Sequence, residues 1–208
     1  MIKLIAFDLW GTLAIRGNPF YHFSESLVQE FDIKISKREI SKILEEVVQL
    51  KYWETEHDAY TEVAKRLKIS PTKDNILKLM SLKVKEEEDV ILFNFVIPLF
   101  KKLKEKKYKI AIISNSSMFV YNYFKRKTDI LKYVDFEHFS FQTGYLKPNP
   151  QMYLELQRKA KVFNNEMLIV GDDFENDFKA PKQLGINAIL FRDYEDLLEK
   201  FKEYKIFI

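Results

Sequence analysis

Four short apolar runs in this chain end in the same way. They are "IKLIAFD" (2–8), "KIAIISNS" (109–116), "MLIVGDD" (167–173) and "NAILFRD" (187–193), each stopping at an acidic or other polar residue before a helical pattern begins. A strand with one wet face alternates apolar and polar positions, so a run that is apolar at every position has both faces covered. Helix-sized segments lie between the later runs, at 116–127, 149–162 and 174–184, the last ending at Gly185. Covered strands alternating with helices predict a doubly wound α/β fold, a parallel sheet between helix layers in the Rossmann-like manner.

One interval breaks this alternation. From about residue 15 to 90 there are only charged amphipathic stretches, such as "SKREISKILEEVVQLKYW" and "TEVAKRLKI", separated by "RGNP" and "SPTKD". The expected organisation is an α/β core from residues 1–15 and 90–208 with a helical cap subdomain, 16–89, inserted after the first strand. The 208 residues suffice for such a core and one insertion. An insertion there sits over the tip of strand one and can act as a lid.

Composition removes several classes of function. The absence of cysteine excludes disulfides, thiol nucleophiles and thiolate-bound metals. His22, His57 and His138 are far apart and lack the spacing of a zinc site. A net charge of +3 is mild, and the Lys-rich "KKLKEKKYK" at 101–109 reads as a solvated helix end beside a strand, so no nucleic-acid partner is expected. The N-terminal run is broken at Asp8, unlike a secretory leader, and "VILFNFVIPLF" is too short to span a bilayer. A cytoplasmic protein without a membrane partner is the expectation.

In doubly wound sheets, ligands gather beyond the C-terminal ends of the strands. Four polar groups converge there: Asp8 with Thr12, Ser114 with Asn115, Lys147 in "TGYLKPNP", and Asp172, Asp173 and Asp177 in "VGDDFENDF". Of the five glycines, Gly11, Gly144, Gly171 and Gly185 lie in or just after these segments. Carboxylates meeting at one rim repel each other and any anionic substrate, and a divalent cation relieves this. Magnesium suits a few carboxylate oxygens with water and phosphate, here through Asp8, the backbone carbonyl of Trp10 and Asp172.

These motifs, "FDLWGTL", "IISNS", "LKPNP" and "GDDFEND" in that order, resemble those of the haloacid dehalogenase (HAD) superfamily, whose cap-bearing members carry an insertion at the same place. The resemblance covers essentially the whole chain. It implies a five-stranded core in which the first strand lies beside those ending at Ser114 and Asp172. It also implies hydrolysis of a small phosphorylated metabolite through an aspartyl phosphate on Asp8, with Mg²⁺ as cofactor. Asp8 and Lys147 would be catalytic, and Thr12, Ser114, Asn115 and Lys147 would hold the phosphoryl group. Asp173 and Asp177 would support the metal ligands from behind, with Asp173 equally able to cap a helix; Ser114 could combine its role with that of an N-cap.

The sequence departs from the family's phosphatases at one position. Two places after the nucleophile they carry a second aspartate, which protonates the leaving oxygen; this chain carries Trp10. Such acid-base help is worth roughly 10² to 10⁴ in rate, so its loss favours a good leaving group, such as an acyl phosphate, or another proton donor. An aromatic residue there resembles the metal-free 2-haloacid dehalogenases, and Tyr153 fits their pattern as well. Asp172 and Phe174 do not, since those enzymes carry Ser and Asn at these positions, and neither Arg16 nor Arg38 stands in a recognisable halide-binding context. A third reading is a phosphate-binding protein with weakened catalysis. The three rank in the order phosphatase, dehalogenase, binding protein. Tyr52 and Trp53, on an amphipathic stretch, read as core residues before site residues.

Overall fold

The computed structural model describes residues 1–16, 22–87 and 90–208. Its strands in chain order are β1 (Leu4–Phe7), β2 (Ala14–Arg16), β3 (Val90–Leu92), β4 (Lys109–Ser114), β5 (Phe136–Phe139), β6 (Met167–Gly171) and β7 (Asn187–Leu190). Five of them form one parallel sheet in the order β5-β4-β1-β6-β7. Leu4 registers with Lys109 on one side and Met167 on the other. The first strand therefore lies between the two strands that end at Ser114 and Gly171, as the family resemblance implies.

The continuous hydrophobicity of the strands has the expected cause. Along β1, Ile5 and Phe7 pack with Val96, Leu99 and Phe100 of α5 (Val96–Glu105) and with Leu197 and Phe201 of α10 (Tyr194–Glu203). Leu4 and Ala6 turn to the opposite face, against Met152, Tyr153 and Leu156 of α8 (Pro150–Ala160). Each large side chain so buried contributes about 1.5–3 kcal/mol, which holds both layers on the sheet.

Four helices fill the interval without buried strands: α1 (Phe23–Phe31), α2 (Lys37–Val48), α3 (Glu56–Arg66) and α4 (Lys73–Glu87). The "SKRE" start of α2 is a capping box. The Ser36 hydroxyl accepts the Glu39 N–H at 3.2 Å, and the Glu39 carboxylate accepts the Ser36 N–H at 2.9 Å. Leu27, Ile40, Tyr60, Val63 and Leu79 build a core of their own within these helices, and Phe119 of α6 (Met118–Lys127) packs against it. Residues 17–19 of "RGNP" and residue 89, the expected end of the insertion, lie outside the described residues.

Three features differ from expectation. The four apolar runs omitted β5, whose "FEHF" mixes charge with phenyl rings because it is an edge strand that is only partly covered. The runs also omitted β2 and β3, which pair antiparallel, Ala14 with Leu92 and Arg16 with Val90, so that the chain enters and leaves the helical segment through one ribbon. The segment 174–184 is not one α-helix: a π-helical turn, Phe174–Lys179, precedes α9 (Ala180–Gln183). Asp177 on that turn is buried against Lys147, and Pro181 lacks the N–H that a continuous helix needs. Among the described residues no helix is long and apolar enough to cross a membrane.

Candidate active site

The tips of β1, β4 and β6 meet at one rim of the sheet. The Asp8 N–H donates to the Val170 carbonyl at 2.8 Å, which fixes the carboxyl of Asp8 just past β1. Lys147 arrives from the loop between α7 (Ser140–Thr143) and α8. Its Nζ lies 2.6 Å from Asp8 Oδ1 and 2.6 Å from Asp177 Oδ1, and all three side chains are buried. Asn115 holds this lysine by its backbone: Oδ1 accepts the Lys147 N–H at 2.7 Å, and Nδ2 donates to the Lys147 carbonyl at 3.0 Å. The Asn115 carboxamide, expected at the phosphoryl group, is thus engaged in positioning the cation.

Asp172 completes the cluster. Oxygens of Asp8, Asp172 and Asp177 lie within 4.8 Å of one another. The Thr12 hydroxyl donates to Asp172 Oδ1 at 3.2 Å and so orients that carboxylate. Gly11 makes room for it, and Gly171 makes room for Asp177. A Cβ on Gly11, whose φ is +77°, would stand 2.3 Å from Asp172 Oδ2, and one on Gly171 would stand 2.3 Å from Asp177 Cγ. The backbone at Gly11 consequently runs against the Asp172 carboxylate.

The electrostatics follow from this crowding. Burial pushes the Asp8 carboxyl up to about 7; Lys147 pulls it down, while Asp177 and Asp172 add to the rise. Burial by itself would lower the Lys147 ammonium, but Asp8 and Asp177 together hold it well above its usual range. Asp172 is raised too, first by desolvation of its carboxyl and then by Asp177, against the hydrogen bond from Thr12; the residue as a whole remains exposed. Three carboxylates share one ammonium. The surplus negative charge and hard oxygen donors are what a magnesium ion requires.

Other expected residues sit differently. Ser114 is fully buried, with its Oγ 3.0 Å from Ser116 Oγ, and Ser117 rather than Ser114 caps α6. Asp173 is exposed and caps the π-helical turn, accepting the Asn176 N–H at 2.7 Å, while its own N–H donates to Asp177 Oδ2 at 3.2 Å. Asp177, expected behind the metal ligands, lies with Asp8 and Asp172 in one carboxylate cluster. The Tyr153 hydroxyl donates to the Asn176 carbonyl, and burial raises its pKa. Arg38 is exposed on α2. Trp53 donates its indole N–H to the Val47 carbonyl at 2.9 Å, and Tyr52 meets Phe141 edge-on, ring centres 5.0 Å apart.

Trp10 ties two loops together. Its indole N–H donates to Ser116 Oγ at 3.1 Å, joining the loop after β1 to the loop after β4. Ser140 steadies that second loop: its Oγ accepts the Ser116 N–H at 3.0 Å and donates to the Ser116 carbonyl at 3.2 Å. Ser116 and Ser140 were not singled out from sequence, where "NSS" and "FSF" look like ordinary turn and helix-start serines. Trp10, Asn115 and Ser116 also line a cavity of about 200 Å³, together with Ser117 and Val120 at the start of α6 and residues of α1–α4.

Residues 5–191 match the family model described as haloacid dehalogenase-like hydrolase. Over 108 residues the chain is 30% identical to the Rhythmically expressed gene 2 protein of Drosophila melanogaster, a match covering 50% of this chain and 41% of that protein, less than half its length. A HAD family enzyme from Bacteroides thetaiotaomicron superposes with a TM-score of 0.73 at 18% identity, covering 96% of this chain and 98% of that one. Its complex with magnesium and inorganic phosphate gives 0.70 at 17% identity, over 95% and 99%. A 2-haloacid dehalogenase from Pseudomonas syringae gives 0.62 at 21% identity, over 94% and 90%.

Proposed function

The chain belongs to the haloacid dehalogenase-like hydrolases, and on that footing we propose that it is a magnesium-dependent phosphatase acting on a small phosphorylated metabolite. The observation that carries this reading is the approach of Asp8, Asp172 and Asp177 to within 4.8 Å of one another beside a single lysine. Asp8, Asp172 and the Trp10 carbonyl would hold Mg²⁺, with Asp177 close by. When bound, the ion neutralises charge on the phosphoryl oxygens and keeps Asp8 ionised.

The remaining chemistry belongs to the chain. The Asp8 carboxylate attacks phosphorus, the bond to the leaving oxygen breaks, and that oxygen takes up a proton. Water then cleaves the aspartyl phosphate, restoring Asp8 and releasing inorganic phosphate. Lys147 balances the charge of the nucleophile, Thr12 keeps Asp172 aimed, and Asn115 keeps Lys147 in place. Ser114 would meet a phosphoryl oxygen. Residues 16–89 serve as a cap over a core of 1–15 and 90–208, with the β2–β3 ribbon as the junction.

The aromatic side chain of Trp10 favours a dehalogenase as the second reading, because a halide leaves without a proton. Asp172 opposes it, since a third carboxylate at this rim would repel a 2-haloacid. Incubation with p-nitrophenyl phosphate and acetyl phosphate, with and without Mg²⁺, beside 2-chloropropionate separates the readings. Metal-dependent phosphate release is the expected result. Metal-independent chloride release overturns it in favour of the dehalogenase, and silence with all three compounds in favour of a binding protein.

A further inference from the structure

By itself the run "KKLKEKKYK" (101–109) reads as a solvated helix end, but the fold brings a second basic run beside it. α5 ends at Glu105 and leads through residues 106–108 into the start of β4, while α6 runs back from the catalytic rim and ends at Lys127, before the start of β5. Both runs therefore reach the end of the sheet opposite Asp8. There α5 packs against the 3₁₀ turn Ile130–Tyr133 that follows α6. Lys104 Nζ donates to both oxygens of Asp135, at 2.7 and 2.8 Å, and Asp135 Oδ2 also accepts the Ile110 N–H at 2.8 Å. The two runs are thereby fixed as one face.

Between Lys101 and Asp135 there are ten cations and three carboxylates, a net charge of +7 against +3 for the whole chain, so the rest of the molecule is net negative. Three of these cations are engaged: Lys104 with Asp135, Lys132 with Asp129 at 2.8 Å, and Lys109 with the Ala160 carbonyl at 2.8 Å. Lys101, Lys102, Lys106 and Lys107, with the "KRK" of 125–127, are exposed and make no ion pair among the described residues. A helix C-terminus carries only about half a negative charge, felt within its last turn, so the ends of α5 and α6 offset a small part of this surplus. Like charges held on one face repel one another, and a polyanion relieves them. None of the exposed large apolar side chains lies between residues 101 and 135, so the face has nothing to insert into a bilayer. It has tyrosine rings among its cations instead. Tyr123 and Tyr133 are half-buried, with Lys127 Nζ 5.5 Å from the first ring centre and Lys132 Nζ 5.5 Å from the second. Rings set between cations suit unpaired bases strung on a line of phosphates.

We propose that this face binds single-stranded nucleic acid through its phosphates, at the far end of the sheet from the catalytic rim and independently of the hydrolase chemistry. Binding of a labelled oligouridylate of about 20 nucleotides is followed by fluorescence anisotropy in EDTA, which keeps the metal site out of the measurement. Log affinity should fall against log salt with a slope of about −3 to −5, as about five to seven neutralised phosphates of a single strand give. Lys106→Glu with Lys107→Glu, and Lys125→Glu with Lys127→Glu, should each weaken binding about tenfold or more and flatten the slope by about 1 to 2. Lys42→Glu with Lys73→Glu makes the same change in net charge on the helical segment and should stay within about threefold of the parent. All these side chains are exposed, and each pair near the sheet end remains a test if the other fails to fold. A duplex of the same length should bind no more tightly than the single strand. The proposal falls if the oligonucleotide does not bind, if a folded variant of either pair near the sheet end keeps the parent's affinity, if the control pair costs as much, or if the duplex is preferred. Binding to phosphatidylserine vesicles without binding to the oligonucleotide overturns it in favour of a membrane surface.

Discussion

Lys147 Nζ stands 2.6 Å from Asp8 Oδ1 and 2.6 Å from Asp177 Oδ1, so one buried cation joins the tip of β1 to the π-helical turn after β6. Removing it leaves two buried carboxylates without their cation. Breaking a buried pair in this way costs about 3–5 kcal/mol. Lys147→Met should therefore lose about that much stability at pH 8 in EDTA. Asp8, already raised, rises further without the lysine, and a carboxyl raised in the folded state gives stability that is present at low pH and lost as pH climbs. The deficit should accordingly be smaller at pH 5. Urea unfolding at the two pH values decides; equal deficits would mean the carboxylates do not feel the missing charge.

At the proposed metal site, magnesium and the proton would compete for the same oxygen atoms. With Asp8 titrating at about 7, the carboxylate is mostly protonated at pH 6 and mostly ionised at pH 8. Metal affinity should rise with pH across that window, by about tenfold between pH 6 and 8. Calorimetric titration with Mg²⁺ measures it directly. An affinity that does not change over this range removes Asp8 from the metal's ligands.

His138 makes a separate prediction far from the chemistry. Only 3% exposed in β5, it donates from Nε2 to the Met152 carbonyl at 2.8 Å. Burial pushes its imidazole down to about 4 against the pull of that hydrogen bond, with Lys159 lowering it further. The unfolded chain takes up the proton from about pH 6.5, whereas the folded chain resists until about 4. Stability that is full above 6.5 is lost as pH falls between these values, by about 3 kcal/mol. Compared with His138→Gln, the unaltered protein should lose that much more between pH 7 and pH 4, as read from urea midpoints. Parallel curves for the two proteins would rule out a neutral buried imidazole.

Both the fold and the members of the site were largely legible in the sequence because the site is made of strand tips. Asp8, Ser114 and Asp172 each end or directly follow an apolar run, and a parallel sheet brings such ends together whatever the helices do. What could not be read depends on side-chain reach. Asn115 turns its amide to the Lys147 backbone, Asp177 curls back beneath Gly171, and Ser116 takes the indole N–H; each is a contact between distant loops that no local pattern encodes. β5 and the β2–β3 ribbon escaped for a different reason. β5 and β2 are short and only partly apolar, and the "VIL" of β3 merges with the apolar start of α5 in "VILFNFVIPLF", so no polar break marks it as a strand.

Gly11 tests how tightly the proposed metal site is built. At φ +77° an alanine pays about 1–2 kcal/mol for a left-handed backbone, and its Cβ would lie 2.3 Å from Asp172 Oδ2. Gly185 provides the control, since it has φ +72° but nothing within 4 Å of an added Cβ. Gly185→Ala should lose stability alone, while Gly11→Ala should also lose Mg²⁺ affinity because Asp172 must move. Thermal melts with and without Mg²⁺ compare them. Equal stabilisation of both variants by the ion would show that Asp172 is not held against this turn for the metal.

Trp10 occupies the place of a proton donor while serving as a tie between loops. Its indole bonds Ser116 and lines the cavity, so nothing at position 10 can protonate a departing alkoxide. An acyl phosphate does not need that proton; an alkyl phosphate does. Trp10→Asp restores a carboxyl, and turnover of alkyl phosphates should rise by up to about 10²-fold, near the lower end of what general acid catalysis supplies. Acetyl phosphate should change little, so the diagnostic quantity is the ratio of the two kcat values in one preparation. The lost indole contact will cost some stability, which the ratio cancels. If it stays the same in a variant whose circular dichroism matches the parent, proton donation at this position does not limit the reaction, and the leaving group is assisted from elsewhere in the site.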